Sequence, residues 1–112
     1  MRTFHALEVA LELVSALREP IAKLRQFDKD LADEVRRAAK SVALNVAEGG
    51  RRVGRDRPHA YSIAAGSADE VRTALRIALA FGYLDKADLA QPLALVDREL
   101  AMLWRLVRPR SA

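Results

Sequence analysis

The side chains able to do chemistry are few. His5 and His59 are the only imidazoles, they stand far apart, and neither belongs to the Glu-x-x-His pairs that build a di-metal bundle. There is no cysteine, which removes thiol catalysis, disulfides, Cys-ligated zinc and iron-sulfur clusters. Phosphate-loop, dinucleotide and serine-hydrolase signatures are missing. Acid-base or nucleophilic catalysis needs a convergent site that this inventory does not supply, so the expectation is a non-enzyme with no metal and no cofactor.

What remains is charge. Between Arg36 and Arg57 lie seven basic side chains against two acidic ones, in a chain whose net charge is only +4. Arg36 and Lys40 are one helical turn apart, and Arg51, Arg52, Arg55 and Arg57 fall in the segment GGRRVGRDRP, where a loop is free to reach a polyanion. A second cluster, Arg105, Arg108 and Arg110, ends the sequence. Guanidinium forks suit phosphate oxygens, and contacts of that kind position a protein on RNA or DNA without reading bases. No aromatic residue lies in 36–57, so base stacking is not expected there. The competing reading is a protein-protein scaffold whose arginines only keep it soluble.

These groups have to be held by helices. The chain has 112 residues with five glycines and four prolines, enough for a single domain over 1–112 with its own core. Leu7, Ala10, Val14, Leu17, Ile21 and Leu24 repeat at three and four residues, as one face of a helix over about 4–26; Pro20 inside it predicts a kink or restart at 16–20. Leu31, Val35, Ala38, Val42 and Asn45 define a second helix over about 31–48, with Asp28 or Asp30 as its cap and Gly49-Gly50 as its end. The third, about 58–81, carries Ala60, Ala64, Ser67, Val71, Ala74, Ala78 and Phe81 and stops at Gly82. Asp85 with Asp88 caps the fourth, about 86–107, whose stripe is Leu89, Leu93, Val96, Leu100, Leu103 and Val107.

Four amphipathic segments with short connections predict an all-α, antiparallel up-down four-helix bundle. Leu13, Leu44, Leu79, Leu95, Trp104 and Leu106 lie off the stripes; they either widen the core sector or form a second face against neighbouring subunits. Asn45 with Glu48 and Ser67 with Glu70 fall where the second helix ends and the third begins. The expectation is a structural polar network of Arg37, Asn45, Glu48, Ser67 and Glu70, with Arg37 as one candidate partner of a half-buried Glu70; a small ligand notch is the alternative. Every apolar stretch is interrupted by charge, so no membrane span or secretion signal is expected and the default address is cytoplasmic.

Residues 31–52 (LADEVRRAAKSVALNVAEGGRR), 63–75 (IAAGSADEVRTAL) and 81–84 (FGYL) resemble the bacterial four-helix-bundle family named for the 23S rRNA intervening-sequence proteins. That family's pattern is roughly Q-L-R-R-A, S-I-x-x-N-I-A-E-G, A-x-G-S-x-x-E and G-Y-L; here Glu34 replaces the usual Gln and the loop is richer in arginine. The resemblance implies a barrel-like homopentamer and no catalytic residues. It also implies kinship with the accessory variability determinant of diversity-generating retroelements, which is associated with nucleic acid and a reverse transcriptase through a basic surface.

Overall fold

Pro20 shapes the first rod. It has no N–H to offer the carbonyl of Ala16, and the helix breaks one residue later. The computed structural model describes residues 2–54 and 56–108, with side chains from residue 5 onward. It contains α1 (Arg2–Ala16), α2 (Arg18–Arg25), α3 (Lys29–Arg51), α4 (Asp56–Ala80) and α5 (Lys86–Val107), and no strand among the described residues. At Leu17 ψ opens to −6°, and its N–H is shared between the carbonyls of Leu13 and Val14 at 3.0 and 3.2 Å. The restart expected at 16–20 is therefore a one-residue joint between α1 and α2, which together form one rod of a four-rod bundle.

Around the bundle the α1/α2 rod packs on α3, α3 on α4, α4 on α5, and α5 back on α1. Neighbours run antiparallel: Ser41 meets Ser67 across α3 and α4, Arg72 meets Asp97 across α4 and α5, and Lys23 meets Asp88 across α2 and α5. The described residues extend 47 Å along the bundle and about 20 Å across it. The α3–α4 seam is built from small side chains, with Ala38, Ala39, Ala64, Ala65, Ala68, Ala74 and Ala78 all buried, whereas α1, α2 and α5 fill the core with Leu13, Leu17, Leu24, Leu89, Leu100 and Leu103. No helix among the described residues is long and apolar enough to cross a membrane.

The caps follow the sequence. Asp28 accepts from the Leu31 N–H at 2.9 Å to open α3, and Asp85 and Asp88 exchange bonds in a capping box that opens α5. One terminator does not behave as expected. Gly49 and Gly50 lie inside α3, which runs on to Arg51, and the left-handed backbone falls to Gly54 in the loop and to Gly82 after α4. Gly49 serves packing instead: a Cβ placed there would lie 2.7 Å from Cδ1 and 2.8 Å from Cζ of Tyr61, a ring with no solvent exposure.

Phe81, expected on the α4 stripe, is 67% exposed because α4 ends at Ala80 and the chain turns outward. Of the off-stripe residues, Leu13 and Leu95 are buried, whereas Leu44 and Trp104 stand 66% and 45% exposed. The inward face of α5 is centred on Pro92, Val96, Glu99 and Leu103. This places the Glu99 carboxyl in the core at 0% exposure, with no hydrogen-bond partner on either oxygen among the described residues. Burial pushes its pKa up to about 8, opposed only weakly by Arg98.

Two consequences are measurable. Gly49→Ala is expected to destabilise by about 1–3 kcal/mol in urea melts, because neither the buried ring nor the helix can give way, whereas Gly66→Ala, with open space around its added Cβ, gains up to about 1 kcal/mol in helix propensity. Glu99 keeps its proton in the folded chain between pH 4.5 and about 8 while the unfolded chain releases it. Unfolding then expels a proton, so stability falls as pH rises through that window and levels off above it. Holding the carboxyl neutral at pH 7 costs on the order of 3 kcal/mol, and Glu99→Met is expected to recover most of it and to flatten the dependence of melting temperature on pH. A variant with the wild-type pH profile would contradict this assignment.

Candidate nucleic-acid interface

Five of the six cations singled out from the sequence are among the described residues, and they separate into two places. Arg36 and Lys40 are exposed on the flank of α3 facing α2, where they border a groove of about 470 Å³ with an apolar floor that includes Val14, Leu17, Ile21 and Ala39. Two further cations, Arg18 and Arg25 on α2, complete its rim, and no carboxylate lines it. Arg25 is bonded to Asp33 at 2.7 Å, whereas Arg18, Arg36 and Lys40 have no ion pair among the described residues. Arg18 and Arg25 are not recognisable as part of this cluster from spacing alone, because only the packing of α2 on α3 brings them to the groove.

The remaining cations crown one end of the bundle. Glu48, one turn before the end of α3, receives Arg51 on one carboxylate oxygen and Arg52 on the other at 2.7 Å, and Arg52 also lies 3.5 Å from Asp56. These bonds, Arg52 first, hold the Glu48 carboxyl below its ordinary range, and Glu48 in turn raises Arg52. The Nε of Arg57 donates to the backbone carbonyl of Arg52 at 2.8 Å, closing the loop between α3 and α4 across its base. All three guanidinium groups belong to exposed residues, and Arg55 lies outside the described residues. Exposed ion pairs of this kind are worth about 0–1 kcal/mol each, so a phosphate can displace Glu48 from either arginine.

The polar network expected as one unit is three. Ser41 is its missing centre: its hydroxyl lies 2.7 Å from that of Ser67, and Asn45 donates to the Ser41 carbonyl at 2.9 Å and to its hydroxyl at 3.1 Å. Glu48 belongs to the arginine cluster instead. Glu70 is exposed rather than half-buried, and Arg37 does not bond it directly; Arg37 holds Glu34 at 2.6 Å, and Glu34 meets Glu70 across α3 and α4. The proximity of the two carboxyls raises Glu70 and lowers Glu34. Glu34 and Ser41 went unnoticed because each looks outward on its own helix, and only the α3–α4 register gives it a partner.

The antiparallel packing adds residues from α5. Its last turn reaches the end where α4 begins, so Trp104, Arg105 and Arg108 join the arginine crown, with the Arg108 guanidinium 5.4 Å from the centre of the Trp104 ring. Arg110, the last of the C-terminal cluster, lies outside the described residues. Among the described residues no group of three His, Asp or Glu side chains is placed to hold a metal ion. The arrangement offers exposed cations at two places on the bundle.

Comparison with known proteins agrees in fold and is silent on activity. A crystal structure from Bacteroides thetaiotaomicron, described as a protein with unknown function from the S23 ribosomal protein family, superposes with a TM-score of 0.84 at 16% identity over 93% of this chain and 99% of that one. No curated protein matches. Residues 2–105, nearly the whole bundle, match the family described as 23S rRNA-intervening sequence protein, and the chain belongs to that family.

Proposed function

We propose that this chain is a non-enzymatic, cytoplasmic, homo-oligomeric bundle that binds nucleic acid through phosphate contacts. The observation that carries the reading is the distribution of exposed cations. Arg18, Arg36 and Lys40 stand along the α2–α3 flank with no salt bridge among the described residues, α3 leads on to Arg51 and Arg52 at the bundle end, and Arg57 lies in the first turn of α4. Exposed positive surface supplies the sequence-independent part of nucleic-acid affinity. Exposed aliphatic groups, Leu11, Leu44, Ile63 and Ile77, support self-association, for which a ring of five copies is the expected form.

A scaffold role is the second reading. Leu44, 66% exposed one turn beyond Lys40, is the observation in its favour, since an aliphatic side chain in a basic stripe suits a protein partner, a reverse transcriptase included, better than a phosphate chain. Nuclease treatment during pull-down separates the two: partners retained after digestion favour the scaffold.

Filter binding across a salt series tests the main reading. Arg36→Glu combined with Lys40→Glu is expected to weaken binding and to make the slope of log affinity against log salt shallower by about 1.8 on duplex DNA, for two lost phosphate contacts. Glu48→Gln acts in the opposite direction. It releases Arg51 and Arg52 from their competitor and is expected to tighten binding about twofold to fivefold, the worth of an exposed ion pair. Unchanged affinity in the charge-reversed protein, with helicity intact, rejects the assignment. Light scattering of the native chain is expected to give a multiple of 12.4 kDa, and a monomer mass at micromolar concentration would remove the homo-oligomer.

A further inference from the structure

Two exposed aromatic sites lie at opposite ends of the bundle, and their surroundings differ. At one end Phe27, Tyr83 and Phe81 form a three-ring stack, with centroids 5.4 and 5.2 Å apart and planes within 18°. Asp28 and Asp85 adjoin it in sequence, each followed by a lysine, so that end carries mixed charge and no cluster of arginines. At the other end stands Trp104, 45% exposed, with Arg108 over its ring and Arg105 beside it in sequence.

The position of Trp104 follows from register. Asp97 reaches Arg72 on α4, and Trp104 comes two turns later on the same stripe of α5, so it looks along the α4 flank. In the same antiparallel register Trp104 is level with Ala65 and Arg108 with Tyr61, which puts Arg108 about 6 Å and Trp104 about 12 Å along the axis from Arg57. An indole face thus lies a short nucleotide stretch from the arginine crown. Duplex DNA keeps its bases stacked on one another, so it offers phosphates but, away from its ends, no free base faces. A single strand presents both, and a protein that binds one combines cations that follow the backbone with an aromatic face that takes a base. The cation over the ring adds to such a contact.

We infer that Trp104 is a base-stacking platform and that the preferred ligand of this surface is single-stranded nucleic acid. This rests on the nucleic-acid reading above and specifies its substrate class. Arg108 and Arg105 take the phosphates flanking the stacked base, and Arg51, Arg52 and Arg57 take those beyond it.

Trp104 is the only tryptophan in the chain, so its fluorescence reports on the site directly. The native protein is titrated with a thymidine homopolymer of about 12 nucleotides and with a duplex of equal length, following both emission and filter retention. The expected result is quenching by the single strand alone. Trp104→Ala is expected to lose about tenfold in single-strand affinity with duplex affinity unchanged, and Trp104→Phe to retain most of it. Single-strand binding without any change in emission, or equal loss of both ligands in Trp104→Ala, overturns the platform while leaving the phosphate reading intact. Shielding of the indole from acrylamide in the free protein also overturns it, since another copy would then cover the ring. Failure of the native protein to bind either ligand removes the nucleic-acid reading and this inference together.

Discussion

The close approach of α3 and α4 is the constraint from which the rest of the molecule follows. Alanines on both faces, with Gly49 against the Tyr61 ring, bring the two backbones together along most of their length. Close packing of this kind leaves no void for a displaced side chain to enter. It sets the register in which Ser41 meets Ser67 and Glu34 meets Glu70, and it directs the connection between the helices outward from the bundle end. Arg51, Arg52 and Arg57, at the end of that seam, are exposed.

Most of the architecture was legible in the sequence because it rests on local rules. Spacings of three and four residues located every rod, Asp28 and Asp85 marked two helix starts, and Pro20 marked the joint at Leu17. The misreadings share a cause. Gly49 looked like a helix end because glycine often is one, but its role depends on a tyrosine twelve residues later and on another helix. Glu99 escaped notice because the heptad on α5 was drawn through Leu100, while the face turned to the core is centred between Val96 and Leu103. The stripe through Leu89, Val96, Leu100 and Leu103 is buried as expected, and the buried sector is wide enough to take in Pro92, Leu95 and Glu99 beside it.

The candidate site was less legible than the fold, again for physical reasons. Arg36, Lys40, Arg51, Arg52 and Arg57 were recognisable as a cluster because they are close in sequence. Trp104 and Arg108 come from the far end of the chain, and Arg18 and Arg25 come from the short helix after the joint. Only antiparallel packing brings the first pair to the crown and the second to the groove. Pairing was invisible too: Glu48 is an ordinary exposed-looking glutamate in the sequence, yet it holds two of the arginines and so governs how much of their charge is free.

Helix direction accounts for part of the charge separation between the two ends, and the remainder calls for another explanation. Both α3 and α5 begin at the aromatic end, where Asp28 and Asp85 cap them, and both finish at the arginine end, with Arg51 and Arg105 in their last turns. Each of those charges complements a helix dipole and needs no ligand to explain it. The dipole effect falls off within about one turn and is met by a single cation for each helix. Arg57 and Arg108 exceed that requirement, as do Arg18 in the first turn of α2 and Arg36 and Lys40 on the α3 flank. Uncompensated like charges on a small domain repel one another and destabilise the compact state. Their concentration on one flank and one end, instead of an even scatter among the acidic residues, is therefore an electrostatic cost that a bound polyanion would offset.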